Sequence, residues 1–538
     1  MQKTPYIKTS NYEGRKGDVK KVVLLYSGGL DTSVMLKWIK DEYKAEVVAL
    51  TIDIGQQADD LNAIKEKALK LGAIKALVID AKDEFAEEYI ARGIKANASY
   101  QGSYHLSTPL GRPLLAKLAV EVAEAEDADC IAHGCTGKGN DQVRLEGTIL
   151  TLNPEMKIIA PVREWSMGRD EELIYAKKHG IPVKQTSNCP YSWDDNMWGV
   201  TGESGEIEDP KLVPPLDKIL QVCKPVEQAL DKPETIELEF VKGLPIAVNG
   251  KQMKLTTLIA ELNQIGARHG VGVTVHIEDR IVGLKVRGVY EAPAAEIIIQ
   301  AHQNLEKFVS TRIENEFKTL VDQKFAYLCY GALWYEPTMK HLQAYLDSVN
   351  EKVNGKVTVK LYKGRADVMA METPQSLFDE KMATFMKSEA FNQNAAPGFI
   401  ELWTLQMKMA KQAIPQVLLS LRDEDKPKLL PSIKKLYKAN NTHFFATKNT
   451  HDFLKKNGVE SQFVYKVSED GQPNIHTLLQ QRRFDLIINT PTPGKKNTTL
   501  HDAEVIKQFA MDKGIKLITE IDVAEGILEK MASVKRRS

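Results

Sequence analysis

Ser27-Gly28-Gly29-Leu30-Asp31-Thr32-Ser33 is the stretch whose residue types could do chemistry. Two glycines let backbone N–H groups approach an anion closely, and the hydroxyls of Ser27, Thr32 and Ser33 add donors. The loop follows the apolar run Val22-Val23-Leu24-Leu25-Tyr26 and precedes the amphipathic Val34-Met35-Leu36-Lys37-Trp38-Ile39-Lys40. That order reads as strand, turn, helix, and a helix N-terminus adds partial positive charge at the loop. A phosphate chain suits it. The lysine and spacing of a Walker loop are missing. An ordinary strand-to-helix connection capped by Asp or Thr would draw on the same residue types.

Two further segments concentrate polar groups. His133-Gly134-Cys135-Thr136-Gly137-Lys138-Gly139-Asn140-Asp141-Gln142-Val143-Arg144 follows a strand at Asp129–Ala132. A surface turn needs Gly and Asn there, but not Lys138, Asp141 and Arg144 together. Tyr104-His105-Leu106-Ser107-Thr108-Pro109-Leu110-Gly111-Arg112-Pro113 places Pro113 where the first position of a helix would accept it. Alone, this second segment reads as a helix cap.

The elements that must position these loops alternate. Apolar runs at Val22–Tyr26, Val47–Ile54, Ala76–Ile79, Cys130–Ala132 and Ile158–Val162 are separated by helical patterns at Ala58–Leu71, Glu84–Asn97, Pro113–Glu126 and Asp170–His179. Uninterrupted β-branched runs between helices imply a parallel sheet covered on both faces. Ligands bind such sheets at the carboxyl ends of strands, where these loops fall. Residues 1–19 are polar and aperiodic, and are expected to form a loosely held lead-in. The α/β domain is expected over 20–185. Over 186–372 the alternation is lost: strands at Thr235–Val241 and Val357–Tyr362 and helices at Gln252–His269 and Pro293–Asp322 suit an α+β domain. Over 373–412 apolar residues are scattered at helical spacing (Leu377, Phe378, Met382, Phe385, Met386, then Leu402, Leu405, Met407, Met409). From 413 to 538 strand and helix alternate again on the scale of a small doubly wound domain.

The glycine loop resembles the pyrophosphate loop of the N-type ATP pyrophosphatases. Together with the other two segments, with Tyr191-Ser192-Trp193-Asp194-Asp195-Asn196-Met197-Trp198-Gly199-Val200-Thr201-Gly202-Glu203, and with Ile277–Arg280 and Arg287–Glu291, it resembles the argininosuccinate synthase family. The resemblance covers roughly Lys20 to Gln412. It implies a nucleotide-binding domain of the adenine nucleotide alpha-hydrolase (HUP) type, a synthetase domain over 186–372 and a C-terminal arm over 373–412 that wraps a neighbour in a homotetramer. It implies ATP-dependent joining of L-citrulline and L-aspartate through a citrullyl-adenylate, giving argininosuccinate, AMP and pyrophosphate, with Mg2+ on the phosphates.

The matched positions carry roles as the resemblance implies them. Leu25, Tyr26, Ser27, Gly28, Gly29, Leu30, Asp31, Thr32, Ser33, Ile52 and Gly134 would hold ATP. Thr136, Asn140 and Asp141 would hold aspartate. Tyr104, Asn140, Arg144, Ser192, Thr201, Glu278 and Tyr290 would hold citrulline. Ser27, Asp31, Thr32, Ser33, Asp141 and Arg144 would carry catalysis, which rests on positioning and charge stabilisation. Arg144 suits a carboxylate or nascent phosphoryl charge, and Glu278 an ammonium. The chain departs from the family pattern at Pro109, where a serine hydroxyl is absent, and at Thr201, which adds a methyl to a serine.

The last 126 residues resemble the methylglyoxal-synthase-like domain that ends the large subunit of carbamoyl phosphate synthetase, where effectors bind. Its polar strand exits, Ala446–Thr450 and Ile488–Gly494, suit a phosphate or carboxylate, with Thr447, Lys448, Asn449 and Thr490 as contacts. Asp470 and Asp502 lie near the acidic positions of methylglyoxal synthase, but a glycine pair before the first is missing, which favours a regulatory domain over a second enzyme. A purely structural role in the oligomer is the alternative.

Composition excludes little. The 538 residues are 43% hydrophobic and 27% charged, and 72 basic residues balance 72 acidic ones, so no net charge points to nucleic acid or a membrane. No apolar run reaches transmembrane length and no signal pattern opens the chain. Five scattered cysteines (Cys130, Cys135, Cys189, Cys223, Cys329) suit reduced thiols in the cytoplasm. A bare nucleotide-binding module would have no use for two amino-acid sites. A tRNA-thiolating pyrophosphatase would need a catalytic cysteine pair and a basic face.

Overall fold

The structure, a computed structural model, describes residues 6–57, 60–165, 167–182, 190–386, 389–412, 414–481, 484–490 and 498–533. Contacts divide the chain into two compact units, 1–383 and 384–538. The division falls inside the segment expected as an arm.

In the first unit, β1 (Lys21–Leu25), β2 (Glu46–Asp53), β3 (Lys75–Asp80), β4 (Cys130–Ala132) and β5 (Lys157–Ile159) form a parallel sheet in the order β3-β2-β1-β4-β5. Side chains alternate across it, as the strand period requires. Val22 and Leu24 pack with Met35 and Leu36 on one face, while Val23 joins a second core containing Phe85 and Leu114. The switch point, where β1 sends connections to both sides, is the end that carries the glycine loop.

The remainder of this unit is antiparallel. One sheet runs β11 (Val273–Asp279), β12 (Lys285–Glu291), β7 (Gly199–Glu203), β6 (Ser192–Asn196). The other is built on β8 (Glu234–Val241), flanked by β9 (Leu244–Val248) and β13 (Gly355–Tyr362), with β10 (Lys251–Gln252) and β14 (Arg365–Glu372) at its edges. The α+β expectation for this region therefore holds.

Three local expectations are corrected. From residue 6 onward the lead-in is not loose: Gly14 N–H donates to Ile158 O (2.9 Å), Ile158 N–H to Tyr12 O (2.9 Å), and buried Glu13 accepts from the N–H groups of Thr9 (3.0 Å) and Ser10 (3.1 Å). It covers the edge of β5, which would otherwise present unpaired backbone groups. Pro113 does not begin its helix. The helix runs Ser107–Ala125 with Pro109 in the first turn, where no N–H is needed, and Pro113 inside it. The Pro293–Asp322 pattern is two helices, Pro293–Val309 and Arg312–Tyr330. The second is started by a capping box in which Thr311 accepts from Glu314 N–H and the Glu314 side chain accepts in return.

The second unit repeats the parallel plan. Its sheet runs β17 (Ser461–Val464), β16 (His443–Thr447), β15 (Gln416–Ser420), β18 (Leu486–Asn489), β19 (Leu517–Ile518). Val417 and Leu419 face a core with Leu429 and Ile433; Leu418 faces another with Phe445, Ile487 and Ile506. Part of the expected strand exit, Pro491–Gly494, lies outside the described residues. Helices Ala396–Trp403 and Leu405–Gln412 precede this sheet with Phe399, Leu402, Trp403 and Met409 exposed.

Candidate functional site

A cavity of about 790 Å³ opens in the first unit where the loops after β1 and β4 meet strands β6, β7, β11 and β12. Ser27, Gly29, Leu30, Asp31 and Thr32 line one side of it. The helix Leu30–Tyr43 begins at Gly29 with no side-chain cap, so neither Asp31 nor Thr32 fills the helix start. The first N–H groups of that helix therefore lack an internal acceptor and offer themselves to an anion. Ser27 Oγ and Thr32 Oγ1 sit 3.1 Å apart at the loop surface.

Within the loop the roles divide differently from the expectation. Gly28 has φ +79°, and a Cβ there would meet Ile64 Cγ1 at 2.9 Å. Glycine is required by the backbone angle and by Ile64, not by room toward the cavity. Lys67 Nζ donates to Gly28 O (2.7 Å) and holds the turn. Ser33 is fully buried; its hydroxyl donates to Gly29 O (2.6 Å) and lies 3.1 Å from Tyr26 Oη. Leu25, Tyr26, Gly28, Ser33 and Ile52 are not among the residues that line this cavity, while Gly134 is. A Cβ on Gly134 would meet Met35 Cε at 2.5 Å, so glycine lets the β4 exit close onto the loop's helix.

The opposite wall gathers charge. The helix Asp141–Leu152 starts at Asn140, whose Nδ2 donates to Tyr330 Oη (2.8 Å) and whose Oδ1 accepts from Ile281 N–H (2.9 Å). Arg144 donates from Nε to Tyr330 O (3.1 Å) and from Nη1 to Asp141 Oδ1 (2.8 Å), with its guanidinium over the Tyr330 ring at 4.8 Å. Arg112 donates from Nη2 to Asp141 Oδ2 (2.8 Å) and also to Asp194 Oδ2. Burial alone would raise the Asp141 carboxyl, but these two guanidiniums outweigh it and hold it at about 2. Burial dominates at Asp194, with the charges of Asp141, Asp195 and Glu203 adding to it against Arg112, and its carboxyl is raised.

Four cavity-lining residues each carry a polar atom buried without a partner among the described residues: Arg112 Nε, Arg144 Nη2, Thr201 Oγ1 and Glu278 Oε2. Buried groups are normally paired, so two guanidinium donors, a hydroxyl and a carboxyl oxygen left open together mark where a ligand's polar groups go. Burial raises the Glu278 carboxyl against the pull of Arg144 and Arg280. Tyr104 accepts from Thr108 N–H (3.1 Å), which caps the Ser107–Ala125 helix, and its ring tilts against Tyr290 at 4.5 Å. Thr136, Asn140, Asp141 and Ser192 complete the expected set on the cavity surface.

Sequence reasoning missed Arg112, Asp194, Glu203, Arg280 and Tyr330 as site residues. The first four stood inside the motifs that carried the resemblance. Tyr330 belongs to no motif and reaches Asn140 across 190 residues of chain. Arg280 donates from Nη2 to Glu203 Oε1 (2.6 Å) at the cavity. Cys135 also lines it, its thiol pushed up by burial, while Cys189 lies outside the described residues. Cys130, Cys135, Cys223 and Cys329 are free thiols.

The second unit carries a cavity of about 220 Å³ at the carboxyl ends of its strands. Thr447, Lys448, Asn449 and Thr490 all line it, joined by Arg422, Lys466 and Asn489. Thr447 stands at the start of the helix Lys448–Lys456 with its hydroxyl not spent as a cap, and Thr490 Oγ1 accepts from Arg422 N–H (2.9 Å). Asp502 faces the same space and is held by Ser468 through N–H (2.9 Å) and Oγ (2.8 Å); Asp470 does not line it.

Comparison with known proteins adds three family models. Residues 21–182 match one described as the arginosuccinate synthase N-terminal HUP domain, 191–410 the arginosuccinate synthase C-terminal domain, and 428–519 an MGS-like domain. Similar proteins include the argininosuccinate synthase of Oceanobacillus iheyensis, 47% identical over 76% of this chain and 99% of that one. The argininosuccinate synthase of Pyrococcus furiosus is 51% identical over 72% of this chain and 94% of its own. Among solved structures, the U34-tRNA thiolase NcsA from Methanococcus maripaludis overlaps 34% of this chain and 63% of its own at 20% identity and a TM-score of 0.22, an overlap too slight to carry an argument.

Proposed function

The chain belongs to the argininosuccinate synthase family, and from that premise we propose that it condenses citrulline with aspartate at the expense of ATP, using the cavity of the first unit. The carrying observation is the set of unpaired buried atoms Arg112 Nε, Arg144 Nη2, Thr201 Oγ1 and Glu278 Oε2, on residues that line the same cavity as the glycine loop. A donor and a hydroxyl suit a carboxylate, and a carboxyl oxygen suits an ammonium, which is the head of an amino acid.

The chemistry follows from that placement. The ureido oxygen of citrulline attacks the α-phosphorus of ATP, and pyrophosphate leaves with negative charge developing on it. The open N–H groups at the start of the Leu30–Tyr43 helix, with Ser27 and Thr32, receive that charge. Ser33 and Gly28 keep the loop in shape. The amine of aspartate then attacks the activated carbon and AMP leaves. Thr136, Asn140 and Asp141 hold aspartate, and Asp141 keeps Arg112 and Arg144 aimed inward. Tyr104, Ser192 and Tyr290 enclose citrulline. Pro109 sits in a helix turn next to Thr108, which does line the cavity and offers a hydroxyl of its own.

Magnesium fits this site through the phosphates of ATP, with the Asp31 carboxylate at hand on the cavity surface. When bound it would supply positive charge to the phosphate chain. Among the described residues no group of three or more His, Cys, Asp or Glu side chains is arranged to hold a metal.

The exposed Phe385, Met386, Leu402 and Trp403 support an arm that packs on other copies in a homotetramer. The cavity of the second unit suits a small anionic or zwitterionic metabolite acting as effector, its chemistry that of arginine or a phosphorylated nucleotide; a domain that only stabilises the oligomer is the second reading. No described helix is long and apolar enough to cross a membrane, and a cytoplasmic enzyme without nucleic-acid partners fits the balanced charge. The test of the reaction is isotopic. Citrulline carrying heavy oxygen in its ureido group is expected to leave that oxygen in the phosphate of AMP. AMP without the label would reject attack by the ureido oxygen.

A further inference from the structure

Asp141 and Asp194 share one nitrogen, Arg112 Nη2, yet they are not equivalent. Asp141 has each oxygen occupied by a guanidinium, Oδ2 by Arg112 and Oδ1 by Arg144, both at 2.8 Å. Protonating it would break two charge-assisted hydrogen bonds. Asp194 spends Oδ2 on Arg112, with Thr108 Oγ1 a long 3.5 Å away, and its Oδ1 has no partner among the described residues. The Asp194 side chain is 38% exposed, and that exposed part faces the cavity.

We propose that Asp194 is the general base of the second half-reaction, taking a proton from the α-ammonium of aspartate. This inference rests on the aspartate site proposed at Thr136, Asn140 and Asp141. Aspartate arrives as an ammonium, which has no lone pair to attack with. Asp194 accepts one proton, the freed amine forms the carbon–nitrogen bond, and the carbon–oxygen bond to AMP breaks. The second amine proton departs with the phosphate oxygen, and the product guanidinium keeps its charge.

The surroundings suit that task. Two carboxyls whose environments push them apart divide into a fixed charge and a proton carrier. Asp141 is the fixed charge. Asp194, partly withdrawn from solvent, is pushed up by that desolvation and by the charges of Asp141, Asp195 and Glu203, against one arginine, toward the pH at which it must work. Glu278, the other raised carboxyl of the cavity, stands instead between Arg144 and Arg280 on β11, and is taken up by the ammonium of citrulline.

The experiment separates the two half-reactions of the full-length enzyme. Citrulline-dependent exchange of labelled pyrophosphate into ATP reads adenylation, and AMP formation with aspartate reads the whole. Asp194→Asn is expected to slow the whole by ~10²-fold or more beyond any effect on exchange, the usual contribution of a positioned base. Hydroxylamine, largely neutral at working pH, needs no proton removed before it attacks. It is expected to consume the adenylate equally fast in wild type and Asp194→Asn. Asp194→Glu keeps the carboxyl and is expected to restore part of the aspartate rate. The base is ruled out if Asp194→Asn slows aspartate and hydroxylamine alike, or slows neither. A wild type that shows no citrulline-dependent exchange overturns the proposed reaction itself, and the base with it.

Discussion

Arg112 Nη2 lies 2.8 Å from Asp141 Oδ2 and touches Asp194 Oδ2 with the same nitrogen. One side chain of the Ser107–Ala125 helix therefore ties the start of the Asp141–Leu152 helix to β6 across the cavity floor. The amino-acid half of the site depends on that tie, and the phosphate half does not.

Asp141→Asn is expected to lower condensation by ~10²-fold or more while ATP affinity changes by less than about threefold, because charge is lost beside the arginines and not at the glycine loop. A binding titration for ATP beside the rate with aspartate checks it. Equal loss of both would move Asp141 out of the amino-acid site.

The same variant has a pH signature. The folded-state carboxyl of Asp141 is depressed to about 2, so its stabilisation is present above the unfolded value and lost as pH falls through the folded one. The stability gap between wild type and Asp141→Asn should be full above about pH 5 and narrow from about pH 4 downward. Denaturant unfolding across that range measures it. A gap that widens on acidification would reverse the assignment.

Arg144→Lys keeps the charge but loses the fork that holds Asp141 Oδ1 and Tyr330 O while leaving Nη2 free. The KM for citrulline is expected to rise about tenfold or more, in line with ~1.5–3 kcal/mol for a hydrogen bond to a charged group. Steady-state kinetics with citrulline varied check it. An unchanged KM would take citrulline's carboxylate elsewhere.

Gly28→Ala is expected to destabilise by about 1–2 kcal/mol, the cost of the left-handed conformation for a side chain. Ile64 adds to it, since the new Cβ falls 2.9 Å from Cγ1. At Gly29 a Cβ would meet only Ser27 Oγ, at 3.4 Å, so Gly29→Ala should fold as well as wild type. Thermal unfolding of the pair, beside pyrophosphate release, checks the contrast. Equal melting temperatures would contradict the geometry of the loop.

The sheets were legible in the sequence because buried parallel strands are short uninterrupted apolar runs, as at Val22–Leu25 and Val417–Ser420, set between helical patterns. The glycine loop and the Thr136–Arg144 segment were legible because their residue types have no structural use in that density. What escaped was held by hydrogen bonds and not by periodicity. The lead-in docks through Glu13 and backbone pairing to Ile158, neither of which leaves an apolar pattern. Arg112 escaped because a proline commonly opens a helix, so Pro113 puts the arginine before it in a loop, whereas the helix begins at Ser107. Ser33 and Gly28 matched the motif but do not line the cavity, the Ser33 hydroxyl being spent on Gly29 O, a distinction that spacing alone cannot make.

The second unit has its own sheet and its own two cores. A chain ending near Gln412 is expected to keep the reaction and lose its response to metabolites, since an effector acts only through ~1–3 kcal/mol of differential affinity between states. Activity of both chains, scanned against arginine and nucleoside monophosphates, checks it. If the shortened chain only dissociates and no metabolite binds the full one, the oligomer reading stands.

The most direct measurement is the release of AMP and pyrophosphate by the purified enzyme with ATP and citrulline plus aspartate, against either amino acid alone. AMP and argininosuccinate are expected in equal amounts only when both amino acids are present, with pyrophosphate release requiring citrulline. AMP formed steadily without citrulline, or with aspartate alone, would contradict the proposed reaction.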